Sequence, residues 1–162
     1  MEPDDAPHMK SPGIFFPPPF LLAIGFLSGL LIHRFYSVPI FPGGRTLATL
    51  IISALLLVSG FLMLFTAVLT LFRARTGILP HQSASALVQT GPFRFSRNPM
   101  YTAGSLVYLA VALWVNSLWV LLFLPPSLFL LYTIVIRREE RYLTQEFGDT
   151  YREYCRKVRR WL

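Results

Sequence analysis

Residues 46–72 read TLATLIISALLLVSGFLMLFTAVLTLF, an apolar stretch that contains no charged residue between Arg45 and Arg73. A helix needs about 20 apolar residues to cross the hydrocarbon core of a bilayer, because each residue adds about 1.5 Å. The stretch exceeds that length, so it can span a membrane with tilt to spare. It therefore predicts a membrane-spanning helix and sets the class of fold.

The composition of the whole chain also indicates a membrane protein. Of the 162 residues, 54% are hydrophobic and 14% are charged, and the mean hydropathy is +0.52. No Asp or Glu occurs between Ala6 and Arg138. A soluble domain carries charge over its whole surface, and a disordered chain has a much lower apolar content. Both classes are excluded, and the sequence predicts an integral membrane protein.

Three further apolar segments lie on either side of the first. Only the polar pair Asn116-Ser117 separates the last two, which predicts a tight helical hairpin, and Pro125-Pro126 predict a kink in the last segment. We therefore predict an all-α bundle of about four transmembrane helices, followed by an amphipathic helix at the C-terminus. The three additional spans are predicted at about residues 19–36, 99–115 and 118–136.

Basic residues predict the orientation of these spans. Residues 73–99 hold four arginines and no acid, and residues 137–162 hold eight Lys and Arg. Both segments are predicted to be cytoplasmic by the positive-inside rule, which places the N- and C-termini of a four-span protein in the cytoplasm. The chain then divides into a flexible leader (1–16), two transmembrane helices (17–72), and a loop, hairpin and tail (73–162), all within one domain.

The net charge of +7 is explained by basic residues that orient membrane helices and contact anionic lipid headgroups. No soluble module interleaves basic residues with exposed aromatics, so no nucleic-acid partner is predicted. Cys155 is the only cysteine, which excludes a disulfide framework and a multi-cysteine metal site. We predict the bilayer as a partner and no metal ion.

A concentrated polar region precedes the third span and ends in the sequence RFSRNPMY, residues 94–101. Asn98 is a preferred helix N-cap residue, and proline is well tolerated at the position that follows. The free amides of this helix end, together with Arg94 and Arg97, would suit a carboxylate or a phosphate. The arginines are equally typical of a membrane helix that is merely oriented by charge.

A second polar cluster, Arg137-Arg138-Glu139-Glu140-Arg141, begins where the fourth span ends. It is either a solvated helix end or a source of carboxylates for a cationic group at the depth of Arg97. The tail beyond it carries aromatic residues at helix-like intervals, with Gly148 as a predicted break, and is predicted to lie over the cytoplasmic face.

Several short motifs follow one another in a recognisable order. With this spacing, the chain resembles the integral-membrane methyltransferases that include isoprenylcysteine carboxyl methyltransferase and the phospholipid N-methyltransferases. The resemblance covers roughly residues 75–162, about half of the chain. Its motifs are Leu87-Val88, Gly91-Pro92-Phe93-Arg94, Arg97-Asn98-Pro99-Met100-Tyr101, Glu139-Glu140-Arg141-Tyr142-Leu143, Phe147-Gly148, Tyr151, Tyr154 and Val158.

The resemblance implies a helical membrane enzyme that uses S-adenosylmethionine. In this family the cofactor lies at the cytoplasmic edge under the C-terminal segment, and a lipophilic acceptor enters from the bilayer. Many members carry His at the position of Asn98, so a role that needs imidazole is not expected here. The cofactor contacts of the family map onto His81, Leu87, Val88, Gly91, Phe93, Arg97, Asn98, Pro99 and Tyr101, with a glutamate at Glu139 or Glu140.

The acceptor is predicted to be a lipophilic small molecule, a lipid or a lipidated molecule, and two acceptor groups stay open. A carboxylate is already nucleophilic, so Arg138 or Arg137 would only need to orient it. An amine must first lose a proton, which Glu140 or His81 could accept. The alternative is a non-catalytic membrane scaffold or lipid-binding subunit. A transporter is disfavoured because the spans contain no acid.

Overall fold

The computed structural model describes Gly13 and residues 17–77 and 84–161. Apart from Gly13, the predicted leader 1–16 lies outside the described residues. The described part is helical and compatible with a membrane, as the composition predicts. Its helices are α1 (Pro19–Phe35), α2 (Leu47–Arg73), a 3-10 turn (Gly91–Arg94), α3 (Pro99–Val115), α4 (Leu118–Leu130), a π-helical segment (Leu131–Ile136) and α5 (Arg137–Lys157).

The ends of the helices follow from local chemistry. Pro19 and Pro99 begin α1 and α3, at the position where a missing amide proton has no cost. The hydroxyl of Thr46 accepts a hydrogen bond from the amide of Thr49 and so caps α2, at 3.2 Å. The four apolar segments begin and end within two residues of the predicted bounds.

The bundle consists of two closely packed helix pairs, α1 with α4 and α2 with α3. At Gly29 of α1, an added Cβ would lie 2.6 Å from the Cα of Val120 in α4, so only glycine permits this approach. The opposite faces are apolar and exposed; in α2, for example, Leu55 and Phe65 are each more than 60% exposed. Exposed apolar faces of this extent are expected where lipid surrounds a helix.

Two of the helices are long and apolar enough to cross a membrane by length and composition. They are Leu47–Arg73 and the continuous helix Leu118–Lys157, whereas Pro19–Phe35 and Pro99–Val115 are shorter apolar helices. The helix continues through Pro125 and Pro126, and its geometry changes to π only afterwards, at Leu131–Ile136. The amphipathic part, α5, is kinked at Gly148, where the sequence predicts a break.

At one end of the bundle, which we call the turn end, the α1–α2 loop meets the α3–α4 turn. Asn116 adopts the left-handed conformation with a φ of 58°. Its side chain accepts a hydrogen bond from the amide of Phe41 at 2.9 Å and donates one to the Phe41 carbonyl at 3.2 Å. Arg45 donates to the carbonyl of Trp114, and Trp119 donates to the carbonyl of Tyr36 at 2.6 Å.

Candidate functional site

A cavity of about 260 Å³ lies at the opposite end of the bundle, which we call the cavity end. The loop before α3 and the start of α5 form its polar wall, and residues at the ends of α1 and α2 form an apolar rim. The structure brings together nine of the residues that the sequence singles out. These are Leu87, Val88, Phe93, Arg97, Asn98, Pro99, Tyr101, Glu139 and Glu140.

Two opposite charges from distant parts of the chain meet in this cavity. The guanidinium of Arg97 lies 3.1 Å from a carboxylate oxygen of Glu140, and both side chains are more than 80% buried. Arg97 also donates to the sulfur of Cys155 at 2.8 Å. Its Nε is buried and, within the described part of the chain, has no hydrogen-bond partner. The loop arginine and the glutamate pair therefore share one depth in the bundle, as the sequence predicts.

Glu139 occupies a different environment from its neighbour. The hydroxyl of Tyr101 donates a hydrogen bond to Glu139 at 2.7 Å. Burial raises the pKa of Glu139 from 4.5 to about 7, the hydrogen bond from Tyr101 opposes the rise, and the charge of Glu140 adds to it. This carboxyl therefore changes its charge near neutral pH and would be ionised by a cation that enters the cavity.

The end of the chain, residues 158–161, crosses the cavity wall and is called the C-terminal strap. Arg160 donates to both oxygens of Glu140 at 2.8 and 2.9 Å, and its guanidinium lies 4.9 Å from the centre of the Tyr132 ring. The amide of Arg97 donates to the carbonyl of Arg159 at 2.9 Å. The strap therefore joins the loop before α3 to the start of α5.

Asn98 does not cap α3 with its side chain, contrary to the sequence prediction. Its side-chain amide donates instead to the carbonyl of Arg160 at 3.0 Å. The strap presents the carbonyl of Arg160 to the loop before α3, and this carbonyl accepts hydrogen bonds from both Asn98 and the hydroxyl of Ser96, the latter at 3.3 Å. A hydrogen-bonding role for Asn98 remains, but it holds the strap rather than the helix terminus.

Gly91 and Arg94 do not line the cavity. Gly91 has a φ of +58°, and an added Cβ would lie 2.8 Å from the hydroxyl of Thr70 in α2. Its role in the structure is therefore to let the loop turn tightly against α2. Arg94 is exposed on the outside of the loop.

The predicted arginines of α5 also lie outside this cavity. Arg137 and Arg138 are exposed, and neither is among the residues that line the cavity. They begin α5 on the face that turns away from the loop, so the geometry does not favour them for orienting a group held at Arg97. His81, which was predicted to contact the cofactor or accept a proton, lies outside the described residues.

Sequence reasoning gave no role in the site to several of its residues. Three tyrosines of the tail, which it quoted only as motif positions, line the cavity: Tyr142, Tyr151 and Tyr154. The hydroxyl of Tyr154 donates to the carbonyl of Phe93 at 2.6 Å, and burial raises the pKa of Tyr154 to about 12. Their helix-like spacing in an otherwise charged segment is the sequence signal that could have marked them.

One protein family and two curated proteins match the sequence of this chain. The sequence pattern of the phospholipid methyltransferase family matches residues 48–150. A protein of Haemophilus influenzae, described only as uncharacterized, is 41% identical over 63 residues, which are 39% of this chain and all of that protein. The cobalt-zinc-cadmium resistance protein CzcN of Cupriavidus metallidurans is 34% identical over 74 residues, 46% of this chain and 34% of that protein. No solved structure matches the chain.

Proposed function

The chain belongs to the phospholipid methyltransferase family, and we propose that it transfers a methyl group from S-adenosylmethionine to a lipophilic acceptor at the membrane edge. One observation carries the proposal. Arg97, Glu139 and Glu140 converge on a single cavity whose remaining lining is mainly aromatic and aliphatic. A molecule that carries a carboxylate, an ammonium group and an aromatic ring could contact a complementary group of the cavity with each of these parts.

The residues of the cavity fit this cofactor group by group. The guanidinium of Arg97 suits the carboxylate, because it carries a permanent charge and its buried Nε has no partner among the described residues. Glu139 suits the ammonium group, since a nearby cation favours the ionised form of a carboxyl that otherwise titrates near neutral pH. The ring of Phe93 offers a surface for the adenine, and nearby tyrosine rings offer one for a sulfonium.

When bound, S-adenosylmethionine supplies a methyl group on a positively charged sulfur, which leaves as a neutral thioether once a nucleophile has taken the methyl. The protein must position the nucleophile and remove its proton where it has one. Glu140 is the residue that we assign to accept the proton of an amine acceptor, because it lines the cavity beside Arg97. A carboxylate acceptor needs no such step.

The apolar rim supports an acceptor that arrives from lipid. Leu71 at the end of α2, Met100 at the start of α3 and the three consecutive prolines that lead into α1 line the cavity on the side of the apolar helices. An acceptor held in a bilayer can approach between these helix ends without entering water. We propose four membrane spans with both termini in the cytoplasm, which places the cavity end at the cytoplasmic surface.

The test is methyl transfer by the full-length protein reconstituted in vesicles of a total lipid extract. With radiolabelled S-adenosylmethionine, we expect label in a lipid fraction for the wild type and for Arg45→Ala, which alters only the turn end. Arg97→Ala should leave the lipids unlabelled. If the wild type binds the lipids but transfers no label to any fraction, the chain is a non-catalytic lipid-binding subunit and the proposal is wrong.

A further inference from the structure

Glu140 has more cationic partners than its single charge requires. Arg160 donates from Nε and Nη2 to both carboxylate oxygens of Glu140 at 2.8 and 2.9 Å. The guanidinium of Arg97 lies 3.1 Å from one of the same oxygens. Burial raises the pKa of Glu139, the neighbouring carboxyl of the cavity, to about 7. These four side chains together therefore carry a net positive charge at neutral pH.

The two guanidiniums approach Glu140 from different sides. Arg97 lines the cavity and its side chain is 13% exposed, whereas Arg160 is 35% exposed and is not among the residues that line the cavity. The guanidinium of Arg160 lies instead 4.9 Å from the centre of the ring of Tyr132, which is also outside the cavity lining. A ligand in the cavity can therefore contact Arg97 without displacing Arg160.

Contacts of the C-terminal strap fix the position of Arg160. Its carbonyl accepts hydrogen bonds from the side chains of Asn98 and Ser96, at 3.0 and 3.3 Å. The next residue, Trp161, packs against the buried residues of the π-helical segment Leu131–Ile136. A cation held in this way loses less conformational freedom when it forms an ion pair than one on a mobile chain end. The strap therefore presents a preorganised cation to the start of α5.

The proposed function requires Arg97 to bind the carboxylate of S-adenosylmethionine. A buried carboxylate that loses its only cationic partner is strongly destabilised, so Arg97 could not leave Glu140 at low cost if it were the sole partner. We propose that Arg160 is a positioning residue for cofactor binding, which neutralises Glu140 and so makes Arg97 available to the carboxylate of the cofactor. This inference rests on the proposed function and deepens it, because it gives a role to a residue outside the cavity.

A double-mutant cycle on cofactor affinity tests this role without requiring turnover. The full-length protein in a maltoside detergent is titrated with S-adenosylhomocysteine by calorimetry. Arg160→Ala should weaken binding about tenfold, because Arg97 then stays on Glu140 as its sole cationic partner. Glu140→Gln in the Arg160→Ala background should restore the affinity to within about threefold of the wild type, since a neutral amide does not require Arg97.

Further variants separate this role from damage to the strap. Arg159→Ala removes an exposed side chain of the same strap and should change the affinity less than about twofold. Arg160→Lys keeps a positive charge and should bind S-adenosylhomocysteine within about threefold of the wild type. Arg160→Gln, which keeps a donor without the charge, replaces Arg160→Ala in the cycle if that variant does not fold. A purely structural loss would persist when Glu140→Gln is added.

The proposal is overturned if Arg160→Ala binds S-adenosylhomocysteine as tightly as the wild type, or if Glu140→Gln does not restore the affinity that Arg160→Ala loses. It is also overturned if Arg159→Ala weakens binding as much as Arg160→Ala, because the strap as a whole would then be responsible. Failure of the proposed function has a different signature: the wild type would not bind S-adenosylhomocysteine, or Arg97→Ala would bind it normally. Either of these results would refute both proposals.

Discussion

The two ends of the bundle use similar polar side chains in opposite ways. At the turn end, Arg45, Asn116 and Trp119 all bind backbone groups, the carbonyls of Trp114, Phe41 and Tyr36 and the amide of Phe41. Trp114 and Tyr36 lie at the C-terminal ends of α3 and α1, where the carbonyls have no partner within the helix, and Phe41 lies in the α1–α2 loop. The polar side chains of this end are therefore accounted for by the need to close the loops.

At the cavity end, polar side chains bind one another around an open space. Arg97 and Arg160 both pair with Glu140, and Tyr101 binds Glu139. A side chain paired with another side chain can exchange that partner for a ligand, whereas one that holds a loop closed cannot do so without loss of structure. The kind of partner that a polar side chain has, more than the presence of charge, distinguishes the binding end of the bundle from the structural one.

The largest effect is expected for Glu140→Gln. Because the amide cannot accept the proton of an amine acceptor, kcat should fall by about a thousandfold. Binding of S-adenosylmethionine, which we assign mainly to Arg97 and Glu139, should change much less. Steady-state kinetics and calorimetry on the same preparation separate the two quantities. An unchanged kcat would show that Glu140 is not the proton acceptor.

The next largest effect is expected on cofactor affinity, and it should differ between the two ends of the bundle. Arg97→Ala should weaken binding of S-adenosylmethionine about a hundredfold, because it removes the guanidinium that pairs with the carboxylate. Arg45→Ala at the turn end should lower the thermal midpoint in detergent but leave this affinity unchanged. Equal losses of affinity in both variants would mean that binding of S-adenosylmethionine does not depend specifically on the cavity end.

A smaller effect is expected on the stability of the folded protein, which depends on pH through Glu139. Its pKa is raised from 4.5 to about 7 in the folded protein, so the folded state holds a proton that the unfolded state has already released. Stability should therefore fall as the pH rises from about 4.5 to 7, and the full loss should persist above 7. Glu139→Gln, which still accepts from Tyr101, should gain stability relative to the wild type at pH 8 and not at pH 4.

The same group predicts how cofactor binding responds to pH. Below pH 7 Glu139 is protonated and cannot pair with an ammonium group. The affinity for S-adenosylmethionine should therefore fall as the pH is lowered, by at most about tenfold per pH unit. Binding should release a proton near pH 7, which calorimetry in two buffers of different ionisation enthalpy measures. Proton uptake, or an equal pH dependence in Glu139→Gln, would assign the titration to another group.

The smallest effect on function is expected at the turn end. Asn116→Gly keeps the left-handed conformation but removes two hydrogen bonds to Phe41. It should therefore lower the free energy of unfolding by about 1–2 kcal/mol and leave cofactor affinity unchanged. Thermal unfolding and calorimetry on one preparation test this prediction. A loss of cofactor affinity would show that the turn end influences the cavity.

Much of the fold could be predicted from the sequence because the bilayer imposes simple rules. Charges and prolines mark where each apolar helix ends, so the bounds of α1 and α3 follow from Pro19, Pro99 and the residues beyond. The contact between Arg97 and Glu140 was also predictable, because these residues adjoin the same end of two consecutive apolar segments.

The rest of the site depends on tertiary contacts that no local pattern specifies. Arg160 is one of eight basic residues in the tail, and only the return of the strap across α5 gives it Glu140 as a partner. The same return redirects the side chain of Asn98 from its helix to the strap. The arginines at the start of α5 were assigned to the cavity because sequence spacing does not tell which face of a helix a neighbour covers.

We propose that Arg97 and Glu139 together bind the amino acid part of the methyl donor. An experimentally determined structure of the full-length protein with S-adenosylhomocysteine would show whether they do. We predict the carboxylate within hydrogen-bond distance of Arg97, the amine beside Glu139 and the adenine against Phe93. A ligand bound elsewhere, or an empty cavity at a saturating concentration of a ligand shown to bind, would show that Arg97 and Glu139 do not hold the methyl donor.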